Sequence, residues 1–165
     1  MRRSRFKIVS GGQTGVDRAA LDWAIAHGVR HGGWCPKGRR AEDGIIPRRY
    51  RLKETRSPAY KVRTRWNVRE SDGTLIISAN HLIVGGTKLA AEFAASLKKP
   101  LLHLAMTTGA RRAARQLDRF ITQHRIHVLN IAGPRDSEEP GIQKFVQDVF
   151  TQSSLLGRAR QRSAK

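Results

Sequence analysis

The stretch Ser10-Gly11-Gly12-Gln13-Thr14-Gly15-Val16-Asp17 constrains this chain more than any other. It follows a short apolar run, Phe6-Lys7-Ile8-Val9, and opens into Asp17–Ala26, where apolar residues recur at helical spacing. A strand, a tight glycine turn and a helix, in that order, begin a nucleotide-binding α/β unit. Glycines let the backbone bend sharply and approach a ligand, while the unpaired N–H groups and dipole of the helix start attract an anion. No Gly-Lys-Ser/Thr follows at the spacing of a Walker A loop, and the pattern is not the Gly-x-Gly-x-x-Gly dinucleotide fingerprint. Anion binding is the expectation, with a plain strand-to-helix turn as the alternative.

Two more glycine turns follow the same logic. The apolar run Gly73–Ser78 reads as a buried strand, and Ile83-Val84-Gly85-Gly86-Thr87-Lys88 leads into a helix over Leu89–Leu97. The run Ile126–Ala132 reads as the last strand, followed by Gly133-Pro134-Arg135-Asp136-Ser137 and a helix from about Pro140 to Leu155. Between them lie a strand at Leu101–Leu104 and a helix over Gly109–Gln123 with Ala113, Leu117, Phe120 and Ile121 on its apolar side. Earlier, His27-Gly28 stops the first helix and Gly32–Pro36 reads as a short second strand. Residues 59–71 are ambiguous: Tyr60, Val62, Trp66 and Val68 alternate as in a strand, yet the flanking Ser57-Pro58 and Ser71-Asp72-Gly73 suit a helix equally well.

Repeated strand–helix alternation predicts a single-domain, Rossmann-like α/β fold, an open, mostly parallel sheet with helices on both faces. The domain is expected over residues 6–155, with a basic extension at 1–5 and a basic tail at 156–165. In such a sheet the turns at 11–15, 85–87 and 133–135 converge on the carboxyl edge, where ligands bind.

Composition bounds the function. At 165 residues the chain can bury a full core. No apolar run reaches the ~18 residues of a membrane span. The lone Cys35 has no intrachain partner, and no signal-peptide pattern precedes the first strand, so the cytoplasm is the default. The charge is extreme, 32 Lys+Arg against 13 Asp+Glu, or +19. That raises affinity for polyanions, but no base-reading motif is legible, which favours a small phosphorylated ligand over nucleic acid. A non-specific polyanion-binding module remains a further alternative.

Thr14, Thr87 and Ser137 stand near helix starts and read as N-caps or as phosphate donors. Arg18, Lys88 and Arg135 adjoin the three turns, where each could neutralise a phosphate. Asp17 is explained by the helix dipole alone. The six histidines show no metal spacing, so no structural metal is expected. Cys35 reads as a buried thiol, and Trp34 and Trp66 as core residues rather than platforms for a ring system. No Ser-His-Asp or Gly-x-Ser-x-Gly arrangement is legible.

Together, Ser10–Asp17, Gly33–Arg39, Ala41–Gly44, Arg63-Thr64, Trp66–Arg69, Ser71–Thr74, Gly85–Thr87 and Ala132–Arg135 resemble the molybdenum carrier family. Its members look like molybdenum cofactor carrier proteins within the Lonely-Guy-like Rossmann superfamily, and the resemblance runs from about residue 6 to residue 150. It implies a Rossmann-like fold, a homo-oligomer (dimer or tetramer), and storage or transfer of molybdenum cofactor. That ligand is an anionic pterin with a dithiolene-bound molybdenum and a terminal phosphate. Molybdoenzymes or cofactor-synthesis proteins are the implied partners. By the same resemblance residues 59–71 are helical. The expected ligand-binding set is Gly11, Gly12, Gln13, Thr14, Gly15, Lys37, Arg63, Asn67, Gly85, Gly86, Thr87, Lys88 and Arg135. The Lonely Guy enzymes themselves carry Pro-Gly-Gly-x-Gly-Thr-x-x-Glu with a catalytic glutamate. Here Ala90 stands three residues after Thr87, and Glu92 lies two positions too far along. Carriage is therefore expected over catalysis, with nucleoside-monophosphate hydrolysis, or binding of another nucleotide, as the alternative.

Overall fold

A computed structural model describes residues 6–157; the basic extension at 1–5 and the tail beyond residue 157 lie outside the described residues. In chain order the elements are β1 (Lys7–Val9), α1 (Val16–Ala26), β2 (Arg30–Gly32), β3 (Trp34–Cys35), β4 (Arg40–Ala41), β5 (Gly44–Ile45) and β6 (Lys53–Glu54). There follow α2 (Tyr60–Arg69), β7 (Gly73–Ser78), α3 (Gly85–Ser96), β8 (Leu101–Ala105), α4 (Ala110–Gln123), β9 (Val128–Ala132) and α5 (Ile142–Gln152). Five strands form one parallel sheet in the order β2-β1-β9-β7-β8.

Handedness then places the helices. Parallel crossovers are right-handed, so connections running in opposite directions along the sheet put their helices on opposite faces. β1 to β2 and β8 to β9 run one way, and α1 and α4 both pack with α5. β2 to β7 and β7 to β8 run the other way, and α2 packs with α3. All six residues of β7 are buried, as a central parallel strand requires. Leu75 and Ile77 join Trp23, Leu117 and Phe150 in the main core, while Thr74 and Ile76 alternate to the other side. Leu156 also packs into that core.

The sequence reading of β7, β8 and α4 agrees with the structure to within a residue or two. Residues 59–71 resolve as a helix. The alternation there is incidental: only Asn67 and Val68 of α2 are buried, and the helix packs on α3 and β3. The predicted strand over Gly32–Pro36 is two strands in different sheets. Gly33, at φ +126°, breaks it because a Cβ there would lie 2.2 Å from the Ser10 carbonyl oxygen. The predicted second glycine turn is also different, since Gly85 and Gly86 already belong to the first turn of α3.

Between β2 and α2 the chain builds a small insert with its own core of Leu21, Cys35, Ile46 and Tyr50. Arg39 organises it. Its guanidinium donates to the carbonyl oxygens of Ile46, Pro47, Tyr50 and Leu52 at 2.9 to 3.2 Å. Four carbonyls satisfied by one cation explain how a polar, glycine-rich stretch stays ordered. Cys35 is fully buried, as expected, and burial pushes its thiol up.

Candidate functional site

The carboxyl edge is assembled by close backbone contact. Gly15 takes φ +80°, and Val16 N–H donates to the Pro134 carbonyl at 3.2 Å, joining the first and third glycine turns. A Cβ on Gly133 would stand 2.5 Å from the Ile77 carbonyl oxygen, so the third turn also lies flush against β7. The prediction that three glycine segments meet at this edge is met: Gly11, Gly86, Thr87 and Gly133 line one open cleft.

One wall of the cleft is α2. Tyr60, Arg63, Thr64 and Asn67 recur at helical spacing and present one side of the helix to it. The guanidinium groups of Arg40, Arg63 and Arg135 stand 5.9, 5.7 and 5.4 Å from the Tyr60 ring centroid. Arg63 and Arg135 line the cleft itself, each beside a carboxylate, Asp17 at 3.0 Å and Glu138 at 4.0 Å, while Arg40 stands outside its lining. The first turn of α3 supplies Gly86 and Thr87, and among the described residues no side chain caps that helix start.

Beneath the cleft lies a buried ion pair. Arg63 Nη1 is 3.0 Å from Asp17 Oδ2, with side chains only 12% and 7% exposed. Asp17 also accepts the Gln13 N–H at 3.3 Å. Burial pushes the Asp17 carboxyl up, and Arg63 and the Gln13 amide partly offset that. The dipole explanation of Asp17 is therefore insufficient. Gly11 is glycine for the same reason: a Cβ there would fall 1.3 Å from Arg63 Nη1. Among the described residues, Gln13 Nε2 and Arg63 Nε are buried and have no hydrogen-bond partner.

Of the expected set, Gly11, Gln13, Arg63, Asn67, Gly86, Thr87 and Arg135 line the cleft, whereas Gly12, Thr14, Gly15, Lys37, Gly85 and Lys88 do not. Thr14, Gly12 and Lys88 have partners elsewhere. Thr14 donates its hydroxyl to Glu42. The Gly12 carbonyl accepts from Arg18 Nε at 3.0 Å, and Arg18 is further held by Asp43. Arg18 is thus occupied rather than free for a phosphate. Lys88 faces solvent beside Glu92 at 3.9 Å, and Lys37 is exposed. None of the three proposed N-caps caps a helix. Thr14 and Ser137 both bind Glu42, and Thr87 is already the third residue of α3. Asn67 has a positioning role, since its amide brackets the Trp34 backbone with bonds of 2.8 and 2.9 Å. Trp34 and Trp66 are half-buried and packed edge-to-face on each other rather than in the core. Tyr60, Thr64, Asn130 and Glu138 also line the cleft and were missed. The α2 residues were findable only once that segment was read as a helix.

Glu42, at the tip of the β4–β5 hairpin, clamps two of the glycine turns. Besides Thr14 it accepts the Ser137 hydroxyl at 2.5 Å, and its own N–H reaches Gln13 Oε1 at 2.9 Å. These bonds, Ser137 first, hold its carboxyl below the ordinary range. The sign follows: the clamp is fully formed above the unfolded value and is lost as pH falls through the lowered folded value. Acidification is expected to raise amide exchange over residues 40–45, measured by mass spectrometry. Glu42→Gln should show that faster exchange already at neutral pH, and an unchanged pattern would remove the clamp from the account.

Among the described residues, no helix is long and apolar enough to cross a membrane, and no group of His, Cys, Asp and Glu is placed to hold a metal. No curated protein matches the chain. The crystal structure of a putative molybdenum carrier protein from Syntrophus aciditrophicus SB is 45% identical and superposes with a TM-score of 0.89, covering 92% of this chain and 96% of that one. The model of the circularly permutated YpsA SLOG family matches residues 8–154, and the chain belongs to that family.

Proposed function

We propose that this protein binds molybdenum cofactor, an anionic phosphorylated pterin, in the carboxyl-edge cleft and stores or transfers it. The observation that carries the reading is the cluster of Arg40, Arg63 and Arg135 around Tyr60, beside the uncapped start of α3. Cations and unpaired backbone N–H groups together suit a terminal phosphate. Tyr60 offers an aromatic surface beside the arginines. The 45% identical neighbour, described as a molybdenum carrier, supports the ligand class. Ala90 lines the cleft where the related hydrolases carry their glutamate, which supports holding the ligand rather than cleaving it.

Of the expected set, Gly11, Gln13, Arg63, Gly86, Thr87 and Arg135 are proposed to face the ligand, with Arg63 held in place by Asp17. Lys37 and Lys88 are left to long-range attraction. Arg135 is the residue to test, because its partly exposed side chain can be removed with little expected effect on stability. Purified protein is mixed with the cofactor and passed over a gel-filtration column. The wild type should retain it, and Arg135→Ala should weaken retention about tenfold, the effect of losing a bidentate phosphate contact of about 1.4 kcal/mol. Equal retention by both proteins would place the ligand elsewhere, and none by either would end the proposal.

A further inference from the structure

A second, open crevice lies beneath the C-terminal half of α2, between the central sheet and the β3–β6 pair. Among its lining residues only Asn67 is shared with the main cleft, and that amide is occupied by the Trp34 backbone. The two spaces are therefore separate.

Its charge is mostly positive, three cations to one carboxylate. Lys7 enters from β1, Lys53 from β6 and Arg51 from the turn before it. The only carboxylate among the lining residues, Glu70, is already engaged: it accepts the Trp34 indole N–H at 2.8 Å and lies 3.5 Å from Arg69. The indole of Trp34 forms a flat wall, with Lys53 Nζ 5.5 Å from its ring centroid. Burial, Arg30 and Lys53 hold the Lys7 ammonium below its ordinary value, and Glu70 only partly offsets them. Burial, together with Arg51 and Lys7, likewise holds the His31 ring down. Like charges gathered in a concave, partly desolvated space repel, and a bound anion would relieve that repulsion.

We propose that this crevice is a second anion site, taking a doubly charged tetrahedral oxyanion of the phosphate class on Lys7, Arg51 and Lys53 beside the Trp34 indole. Compact ammonium groups suit a phosphate as point charges, and the guanidinium of Arg51 adds two parallel donors. The site is independent of the cofactor reading, since the residues proposed there to face the ligand do not line it.

Calorimetric titration of inorganic phosphate into the full chain, against chloride at equal ionic strength, tests it. The titration is run in the wild type and in an Arg135→Ala background, which weakens the main cleft. Arg135→Ala should keep a phosphate site, and adding Lys7→Met or Arg51→Gln should weaken it at least tenfold. Without phosphate, Lys7→Met should melt above the wild type, because it removes a repelled, partly buried cation. Arg51 is exposed, so Arg51→Gln carries the test if Lys7→Met fails to fold. Loss of all phosphate binding in Arg135→Ala, or undiminished binding after Lys7→Met and Arg51→Gln, overturns the proposal.

Discussion

Arg63→Met is expected to lower the thermal midpoint by about 10 °C at neutral pH and to regain part of that loss on acidification. The pair it breaks is buried on both sides, with Asp17 Oδ2 3.0 Å from Arg63 Nη1. Removing one partner of a buried pair costs about 3–5 kcal/mol, because the remaining charge is left uncompensated. For a domain of this size each kcal/mol moves the midpoint by about 2–4 °C. The pH dependence follows from Asp17. Burial already pushes its carboxyl above 3.8, with Arg63 the main opposing influence. Without Arg63 the folded value rises further, and the folded chain holds a proton that the unfolded chain releases. Stability from that proton is complete below the unfolded value and is lost as pH rises through the folded one. Melts at several pH values check this, with Asp17→Asn/Arg63→Met as the control. If the double variant melts no higher than Arg63→Met at neutral pH, an unpaired carboxylate is not the cause. Gly11→Ala should resemble Arg63→Met, since the added Cβ displaces the guanidinium from Asp17.

Gly15→Ala is expected to cost about 3 kcal/mol and to weaken the proposed cofactor retention. Two effects add. At φ +80° and ψ −127° the backbone is in a region that L side chains avoid, worth about 1–3 kcal/mol. The new Cβ would also lie 2.4 Å from the Pro134 carbonyl oxygen, and forcing such a contact apart costs about 1–3 kcal/mol. Backbone cannot swing aside as a side chain can, so the first and third glycine turns must separate and the cleft loses its floor. Gly109→Ala separates the two effects. Gly109 has φ +79°, and no described atom lies within 4 Å of its Cβ position. Denaturant unfolding should therefore show a smaller loss for Gly109→Ala than for Gly15→Ala. Equal losses would mean that conformational strain alone decides, and the backbone contact at Pro134 contributes nothing.

What could be read from the sequence was whatever depends on neighbours along the chain. The apolar run Gly73–Ser78, the periodic face of Ala113, Leu117, Phe120 and Ile121, and glycines after strands are local signals. With right-handed crossovers they lead to a parallel sheet whose loops meet at one edge. Residues 59–71 mark the limit of that method. A helix with only Asn67 and Val68 buried has too few buried positions to impose a period of its own.

Tertiary structure alone decided which polar groups face the cleft. Thr14 and Arg18 look available in sequence, yet Glu42 and Asp43, more than twenty residues away, occupy them. Lys88 sits next to a cleft residue but points to solvent, because successive helical side chains diverge by about 100°. Arg63 becomes part of the site only because Gly11 leaves room for its guanidinium and Asp17 holds it there. The sequence by itself determined that a strand, a glycine turn and a helix open an α/β domain. The fold decided which cations reach the cleft, because a side chain's free donors depend on partners that only packing brings together.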